Sequence, residues 1–433
     1  MPGWASSAIW YSVYPLGACG APIRTPDDGG PHHRLNRLEP WLDHIIALGA
    51  NGLALGPIWA SDTHGYDVID HDAIDARLGD EHDFDHLIDA CHQRGLRVLL
   101  DGVFNHVSDK HADVIGASTD PASAALFRHD ASRPDGLSRF EGHDGLIEYD
   151  HTNPAVADRV VATMTRWLQR GADGWRLDAA YRVPPEFWAG VIARVKAQFP
   201  QCLMIAEVLH GDYAAIAADF GVDSVTQYEL WKAIWSSLHD HNPHELLWAL
   251  QRHAASMHAR PGHFLPWTFV DNHDVTRIVT QVGPADARIA VAILMTLPGM
   301  PAVYYGDEFG FTGEKLECLG GDDAIRPALP NSPDDLLTPA GQSRLDGESA
   351  AVFGDPAGRA SMMRHYQLLI GLRRRADLAW AGLSVDASHG QQMTYRVTPR
   401  SARLGSALTI TLDASGEQNR LTISDAMGVL IEL

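Results

Sequence analysis

Four short apolar runs in this chain end on side chains suited to acid–base or covalent work. Arg97-Val98-Leu99-Leu100 leads to Asp101-Gly102-Val103-Phe104-Asn105-His106, and Gly174-Trp175-Arg176-Leu177 leads to Asp178. Leu203-Met204-Ile205-Ala206 leads to Glu207, and Thr268-Phe269-Val270 leads to Asp271-Asn272-His273-Asp274. Any one such carboxylate reads more readily as a cap or a solvated loop residue. Asp178, Glu207 and Asp274 together read differently, because carboxylates gathered in one cleft repel each other and a fold keeps that cost chiefly where a reaction develops charge. One ionised and one protonated carboxyl group, about 5–5.5 Å apart, are what retaining cleavage of a glycosidic bond requires. Arg176 lies two residues before Asp178, on the same strand face, and its guanidinium is expected to keep Asp178 ionised.

Groups placed in this way need a scaffold that brings strand ends to one mouth. Strand patterns recur at Ile9–Tyr14, Gly52–Leu55, Arg97–Leu100, Gly174–Leu177, Leu203–Ala206, Ser224–Thr226, Thr268–Val270 and Ala302–Tyr305. Helical patterns separate them: Pro40 to Leu48 with Gly49 behind it, Phe84 to Cys91 with Asp80 placed to cap and Gly95 to stop, and Val156 to Leu168 on one face. Eight strands alternating with helices predict an α/β fold, a closed (β/α)8 TIM barrel in preference to a doubly wound sheet, with its reactive residues at the C-terminal strand ends. Residues 106–150, rich in His, Asp, Gly and Ser, break the rhythm and read as a short insert after the third strand. After a last helix through Arg373 the period switches to two in Thr394–Val397, Leu408–Ile410 and Leu421–Ile423. The expected division is a first barrel part at 1–105, the insert at 106–150, a second barrel part at 151–382 and a small C-terminal β-domain at 383–433.

Composition narrows the partners. With 433 residues, 45% hydrophobic and 21% charged, the chain is expected to be globular, and 34 basic against 55 acidic residues give −21, which argues against nucleic acid. The basic run Arg373-Arg374-Arg375 is expected to be a solvated helix end. Cys19, Cys91, Cys202 and Cys318 lack CxxC spacing and predict four thiols in a reducing, cytoplasmic compartment. The start has no leader pattern and no stretch approaches ~18 uninterrupted apolar residues, so no membrane association is expected. Oligomeric state is not set by the sequence.

The order and spelling of the strand-end segments resemble the α-amylase family of retaining glycoside hydrolases, family thirteen. D-x-x-x-N-H occurs at Asp101–His106, G-x-R-x-D at Gly174–Asp178, a Glu-ended strand at Glu207, and N-H-D at Asn272–Asp274. His64-Gly65-Tyr66-Asp67 and Gly299-Met300-Pro301-Ala302-Val303-Tyr304-Tyr305-Gly306-Asp307-Glu308 extend the likeness, which spans about residues 9–330. The resemblance implies Asp178 as nucleophile, Glu207 as acid/base and Asp274 as the group steadying the distorted sugar. It implies substrate contacts from Tyr66 (a platform under the ring), His106, His273 and Arg176, and a sugar-binding pair in Asp322 and Arg326, for which an i,i+4 surface ion pair is the rival reading. Trp59, Tyr228 and Trp231 fit sugar stacking or core equally, whereas Asp67, Tyr305 and Gly306 read as structural and His239-Asp240-His241 as a solvated loop.

This chain also departs from the family pattern. Tyr181-Arg182 stands where calcium-dependent members carry Lys-His, while Asn105 still occupies the family's first calcium-ligand position; no cofactor is expected, with calcium through Asn105 as the alternative. Tyr181 and His210, the latter directly after the acid/base, become candidates for the acceptor side, and Ala179 after Asp178 leans towards α-1,4 linkages. The expectation is hydrolysis of α-glucosidic bonds in malto-oligosaccharides or related α-glucans. The alternatives are α-glucan transglycosylation, an exo-acting α-glucosidase, or a non-catalytic sugar-binding relative.

Overall fold

The apolar runs form the wall of a barrel in the computed structural model, which describes residues 1–24, 30–318, 320–345, 354–386, 390–400 and 406–433. Its strands are β1 (Trp10–Val13), β2 (Gly52–Leu55), β3 (Arg97–Gly102), β4 (Gly174–Leu177), β5 (Leu203–Ala206), β6 (Ser224–Val225), β7 (Trp267–Thr268) and β8 (Met300–Tyr304). Parallel ladders join them in sequence from β1 to β6, β8 pairs with both β1 and β7, and a single parallel bridge between Thr226 and Trp267 joins β6 to β7. The expected eight strands are all present. β5 and β8 are buried at every position, as strands covered on both faces must be. The seventh strand is earlier and shorter than the expected Thr268–Val270, because the chain from Phe269 onward leaves the ladder and carries Asp271–Asp274 into the mouth.

Outside the wall lie α1 (Glu39–Leu48), α2 (Glu81–Gln93), α3 (Pro154–Gln169), α4 (Pro185–Gln198), α5 (Tyr213–Phe220), α6 (Tyr228–His239), α7 (His244–Ala259), α8 (Ile278–Thr296) and α9 (Pro356–Ala376). Asp80 starts α2 through a capping box: it accepts from the His82 and Asp83 N–H groups at 2.8 and 3.1 Å, and Asp83 accepts from Asp80 N–H at 2.9 Å. Val156, Val160, Val161, Met164, Trp167 and Leu168 form the buried stripe of α3, as their spacing predicts. α8 is, among the described residues, the one helix long and apolar enough to cross a membrane by length and composition. Here its run Ile289–Met295 is buried, and the helix packs against α6 and α9.

In the run Arg373–Arg375, Arg374 and Arg375 are exposed at the helix end as expected, but Arg373 is not. Arg373 is buried and donates to the carbonyls of Met295, Leu297 and Gly299, the chain ends left open where α8 stops, while Arg374 donates to Gly49 O. Sequence shows the charge but not the carbonyls that wait for it across the interface.

Two antiparallel hairpins crown the mouth. One pairs His106–Ser108 with Leu146–Glu148 inside the insert segment. The other, Trp59–Ser61 with Val68–Ile74, has no counterpart in the sequence reading, because two register shifts destroy its alternation. The C-terminal sheet is antiparallel, in the order β9 (Gly382–Val385), β10 (Gln392–Thr398), β11 (Leu408–Asp413), β12 (Arg420–Asp425) and β13 (Gly428–Glu432). Its middle strands have the period-two pattern; β13 is an exposed edge and lacks one. Tyr395 and Thr296 share a buried hydroxyl contact at 2.8 Å that ties this sheet to α8.

Candidate active site

Arg176 is the centre of the mouth. Its side chain leaves the C-terminal half of β4 and donates to both Asp101 oxygens at 2.8 and 2.6 Å, to Glu207 Oε1 at 2.5 Å and to Asp178 Oδ1 at 3.3 Å. β3, β4 and β5 are neighbours in the sheet, so carboxylates from three strand ends converge on one guanidinium. The Ala179 N–H, directly after Asp178, donates to Glu207 Oε2 at 2.8 Å. Asp178 and Glu207 are therefore adjacent, and both are buried.

The electrostatics differ from the expectation that Arg176 simply holds Asp178 ionised. Burial, then the nearby Glu207 carboxylate, pushes the Asp178 carboxyl well above the usual range against the pull of Arg176. Burial likewise raises Asp101 to about 6 despite its two-pronged bond to Arg176. Three carboxylates share one cation, so the cluster retains a proton more readily than isolated carboxylates do. The guanidinium itself stays charged, since Asp101 and Glu207 outweigh the cost of its burial.

A second chain of contacts runs round the mouth. The Tyr66 hydroxyl donates to Asp101 Oδ2 at 3.0 Å and touches His273 Nε2, whose ring stacks on Tyr66 (5.3 Å between centroids) and on Tyr14 (6.1 Å). His273 Nε2 lies 3.1 Å from Asp274 Oδ2. Arg326 donates to His273 O at 2.8 Å and bridges Asp274 Oδ1 at 3.1 Å to Asp322 Oδ2 at 3.0 Å. Burial lowers His273 to about 3, so it is a neutral imidazole. Burial would raise Asp274, but the permanent charges of Arg326 and Arg176 hold it at about 2. The Asp322–Arg326 ion pair exists, and it also reaches Asp274.

His106 plays a narrower part than a free sugar ligand. Its Nε2 donates to Tyr66 O at 3.0 Å, its Nδ1 accepts from the Asn105 amide at 3.2 Å, and its ring stacks on Phe140 at 4.4 Å. Both nitrogens have protein partners, so the ring braces Tyr66. Tyr181 is half-buried, and its hydroxyl donates to Glu141 Oε1 at 2.9 Å, tying the segment after β4 to the insert. His210 is exposed on the loop after β5, and no hydrogen bond draws it into the cluster.

Trp59 is core: it is buried among Trp167 and Trp175 and donates to Asp101 O at 2.9 Å. Tyr228 is a site residue, with its hydroxyl donating to Glu207 Oε1 at 3.0 Å; Trp231 packs behind it. Gly306 makes the turn after β8 at φ +91°, where a Cβ would meet Phe311 at 2.1 Å. Asp101 as the principal partner of Arg176, and Asn272 as a donor to Tyr228 at 3.0 Å, were not assigned from sequence. Their only signal was position at a strand end.

The calcium position that the family resemblance placed at Asn105 is partly committed to the protein. The Asn105 backbone carbonyl accepts from Tyr149 N–H and its side-chain amide N–H bonds His106, while its side-chain oxygen takes no hydrogen bond among the described residues. Glu148, opposite His106 in the hairpin, is already bonded by Ser138 at 2.7 Å and paired with Arg128 and Arg182. A calcium ion needs uncompensated oxygens, and arginine has taken the charge here. The one group of three His/Cys/acid donors among the described residues, His33 with Asp80 and Asp83, is the capping box of α2.

Comparison with known proteins agrees with this architecture. The family model for the alpha amylase catalytic domain matches residues 35–132 and 140–364. Neopullulanase 2 of Thermoactinomyces vulgaris is 30% identical over 339 residues, covering 72% of this chain and 58% of that protein. A cyclomaltodextrinase of a Bacillus species is 28% identical over 353 residues, covering 72% and 61%. The chain thus spans about three fifths of the length of these curated relatives. Among solved structures, the cyclic alpha-maltosyl-(1→6)-maltose hydrolase from Arthrobacter globiformis superposes with a TM-score of 0.79 at 23% identity, covering 99% of this chain and 98% of that one. The α-amylase of H. orenii gives 0.76 at 21% identity, covering 99% and 97%. These structural likenesses show the shared barrel fold, and the match over most of the barrel shows that the chain belongs to the alpha-amylase catalytic-domain family.

Proposed function

We propose that this protein is a retaining glycoside hydrolase that cleaves α-glucosidic bonds, α-1,4 by preference, in malto-oligosaccharides or related α-glucans. The observation that carries the reading is the adjacency of Asp178 and Glu207 across the Arg176 guanidinium, joined by the Ala179 N–H bond to Glu207. The reaction requires the proton retained by the cluster to sit on Glu207 and Asp178 to be ionised beside Arg176; Asp178 then attacks the anomeric carbon as Glu207 gives its proton to the leaving oxygen. Glu207 then takes a proton from water, which attacks the same carbon and releases Asp178. Neutral His273 and Tyr66 line the place of the sugar, and Asp274, held anionic, faces its hydroxyls. The names of the relatives, neopullulanase and cyclomaltodextrinase, agree with an α-glucan substrate.

The acceptor side supports a second outcome of the same chemistry. Tyr181, Phe140 and Arg182, which lies over the Phe140 ring at 6.0 Å, make an aromatic wall on which a sugar can displace water and take the glycosyl group. No metal takes part in this reading, in which Arg128 and Arg182 compensate Glu148, the acidic group opposite His106 in the hairpin. Buried Cys19, Cys91 and Cys202 support a reducing, cytoplasmic setting.

The test is a panel of maltose, isomaltose, sucrose, trehalose, malto-oligosaccharides and cyclodextrins, with products and their anomeric form followed over time. Release of the α-anomer is expected, with transfer products at high sugar concentration. Activity that survives Asp178→Asn overturns the assignment.

A further inference from the structure

Glu207 receives donors from three places: Ala179 N–H on Oε2 at 2.8 Å, Arg176 on Oε1 at 2.5 Å, and the Tyr228 hydroxyl on Oε1 at 3.0 Å. The third comes from the first residue of α6, on the far side of the carboxylate from Arg176's own strand. A phenol carries one proton and can also accept. Asn272 fills the accepting role, since its amide donates to the Tyr228 oxygen at 3.0 Å, and this leaves the phenol proton to Glu207. The ring is fixed edge-on against Phe269 (5.0 Å) and Trp231 (6.2 Å).

We propose that Tyr228, oriented by Asn272, is a positioning residue for the acid/base: it stabilises the Glu207 carboxylate that forms when the proton passes to the leaving oxygen. The inference rests on the glycosidase reading and deepens it. The phenol keeps its own proton throughout, and the transferred proton is that of Glu207, later recovered from water. Burial and the facing Glu207 carboxylate push the phenol well up, so it remains a donor across the working range. The titratable and charged groups that face Glu207 are Arg176 and Asp178 at the end of β4, Asp101 at the end of β3, Tyr181 after β4, and Tyr228 itself.

The experiment compares the full chain with Tyr228→Phe on a malto-oligosaccharide, whose leaving group needs a proton, and on an α-glucosyl fluoride, whose leaving group does not. Loss of one hydrogen bond to a charged group predicts a roughly tenfold fall in kcat on the oligosaccharide with KM little changed. Less than about threefold is expected on the fluoride, and the alkaline limb of kcat/KM should move up by about one pH unit, since Glu207 gives up its proton less readily. Equal losses on both substrates with an unmoved limb, or no loss on either, overturn the proposal. 3,5-Difluorotyrosine at position 228, a stronger donor of the same shape, should move the limb down; an unmoved limb overturns the proposal even if Tyr228→Phe folds poorly. Failure of the glycosidase reading is distinct: the wild type then releases no sugar from the oligosaccharide, or Asp178→Asn matches it.

Discussion

Arg176, partly buried, and Arg277, fully buried, are guanidinium groups at the C-terminal end of one barrel, yet they are supplied with acceptors differently. Arg277, with no exposed surface, donates to Tyr305 O, to Ile325 O and to a single carboxylate, Asp307 at 2.9 Å, under the Tyr304 ring at 4.0 Å. Asp271 beside it accepts the Ile278 N–H at 2.7 Å. Arg176 has no carbonyl partner and three carboxylates. Two backbone carbonyls and one ion-paired carboxylate beneath an aromatic lid take up the Arg277 donors, so the Arg277 cluster holds the turn after β8 together. An excess of carboxylate round one cation lowers stability, and that cost makes sense where a substrate or transition state uses the charge.

The largest test of this contrast is Asp178→Asn. It should lower hydrolysis by about 10⁴-fold or more, while the thermal midpoint holds or rises because a buried carboxylate repulsion is removed; a falling midpoint would merge the two clusters into one kind. Arg277→Met should show the opposite split. Leaving Asp307 and Asp271 buried without their cation is expected to lower stability by about 3–5 kcal/mol in urea titration, with kcat of the folded fraction close to wild type. Next in size is a pH effect on the Arg176 cluster. Asp101, raised to about 6 in the fold, contributes stability that is complete at pH values below its unfolded range and is lost as pH rises through 6. The thermal midpoint should therefore carry a declining component between about pH 4 and 6, and Asp178→Asn should reduce it by removing one source of repulsion. The smallest effect belongs to Asp322→Ala: an ion pair with a partly exposed partner predicts a change in kcat/KM below about threefold, and a larger loss would place Asp322 on the substrate.

Much of the barrel was legible in the chain. Gly174–Leu177 and Leu203–Ala206 are strands at the expected residues, and Asp80 caps the helix as its place before the Phe84–Cys91 pattern indicated. These features are local: periodicity, a polar terminator or a cap shows within a few residues. The hairpin at Trp59–Ile74 and the edge strand β13 were missed because a bulged or exposed strand carries no clean alternation. Arg373 misled for a related reason, since its partners are carbonyls 74 to 78 residues away.

The site divides along the same line. Sequence by itself determined that Asp178, Glu207 and Asp274 end separate strands of one barrel, because strand order and the polarity at each end are properties of the chain. Tertiary structure alone decided that Arg176 binds Asp101, 75 residues away, and Glu207, 31 away, more closely than Asp178 two residues on. It alone set His106 to brace Tyr66 and Tyr228 to face Glu207, choices made by barrel closure, which fixes the distances on which hydrogen bonds and charge interactions depend.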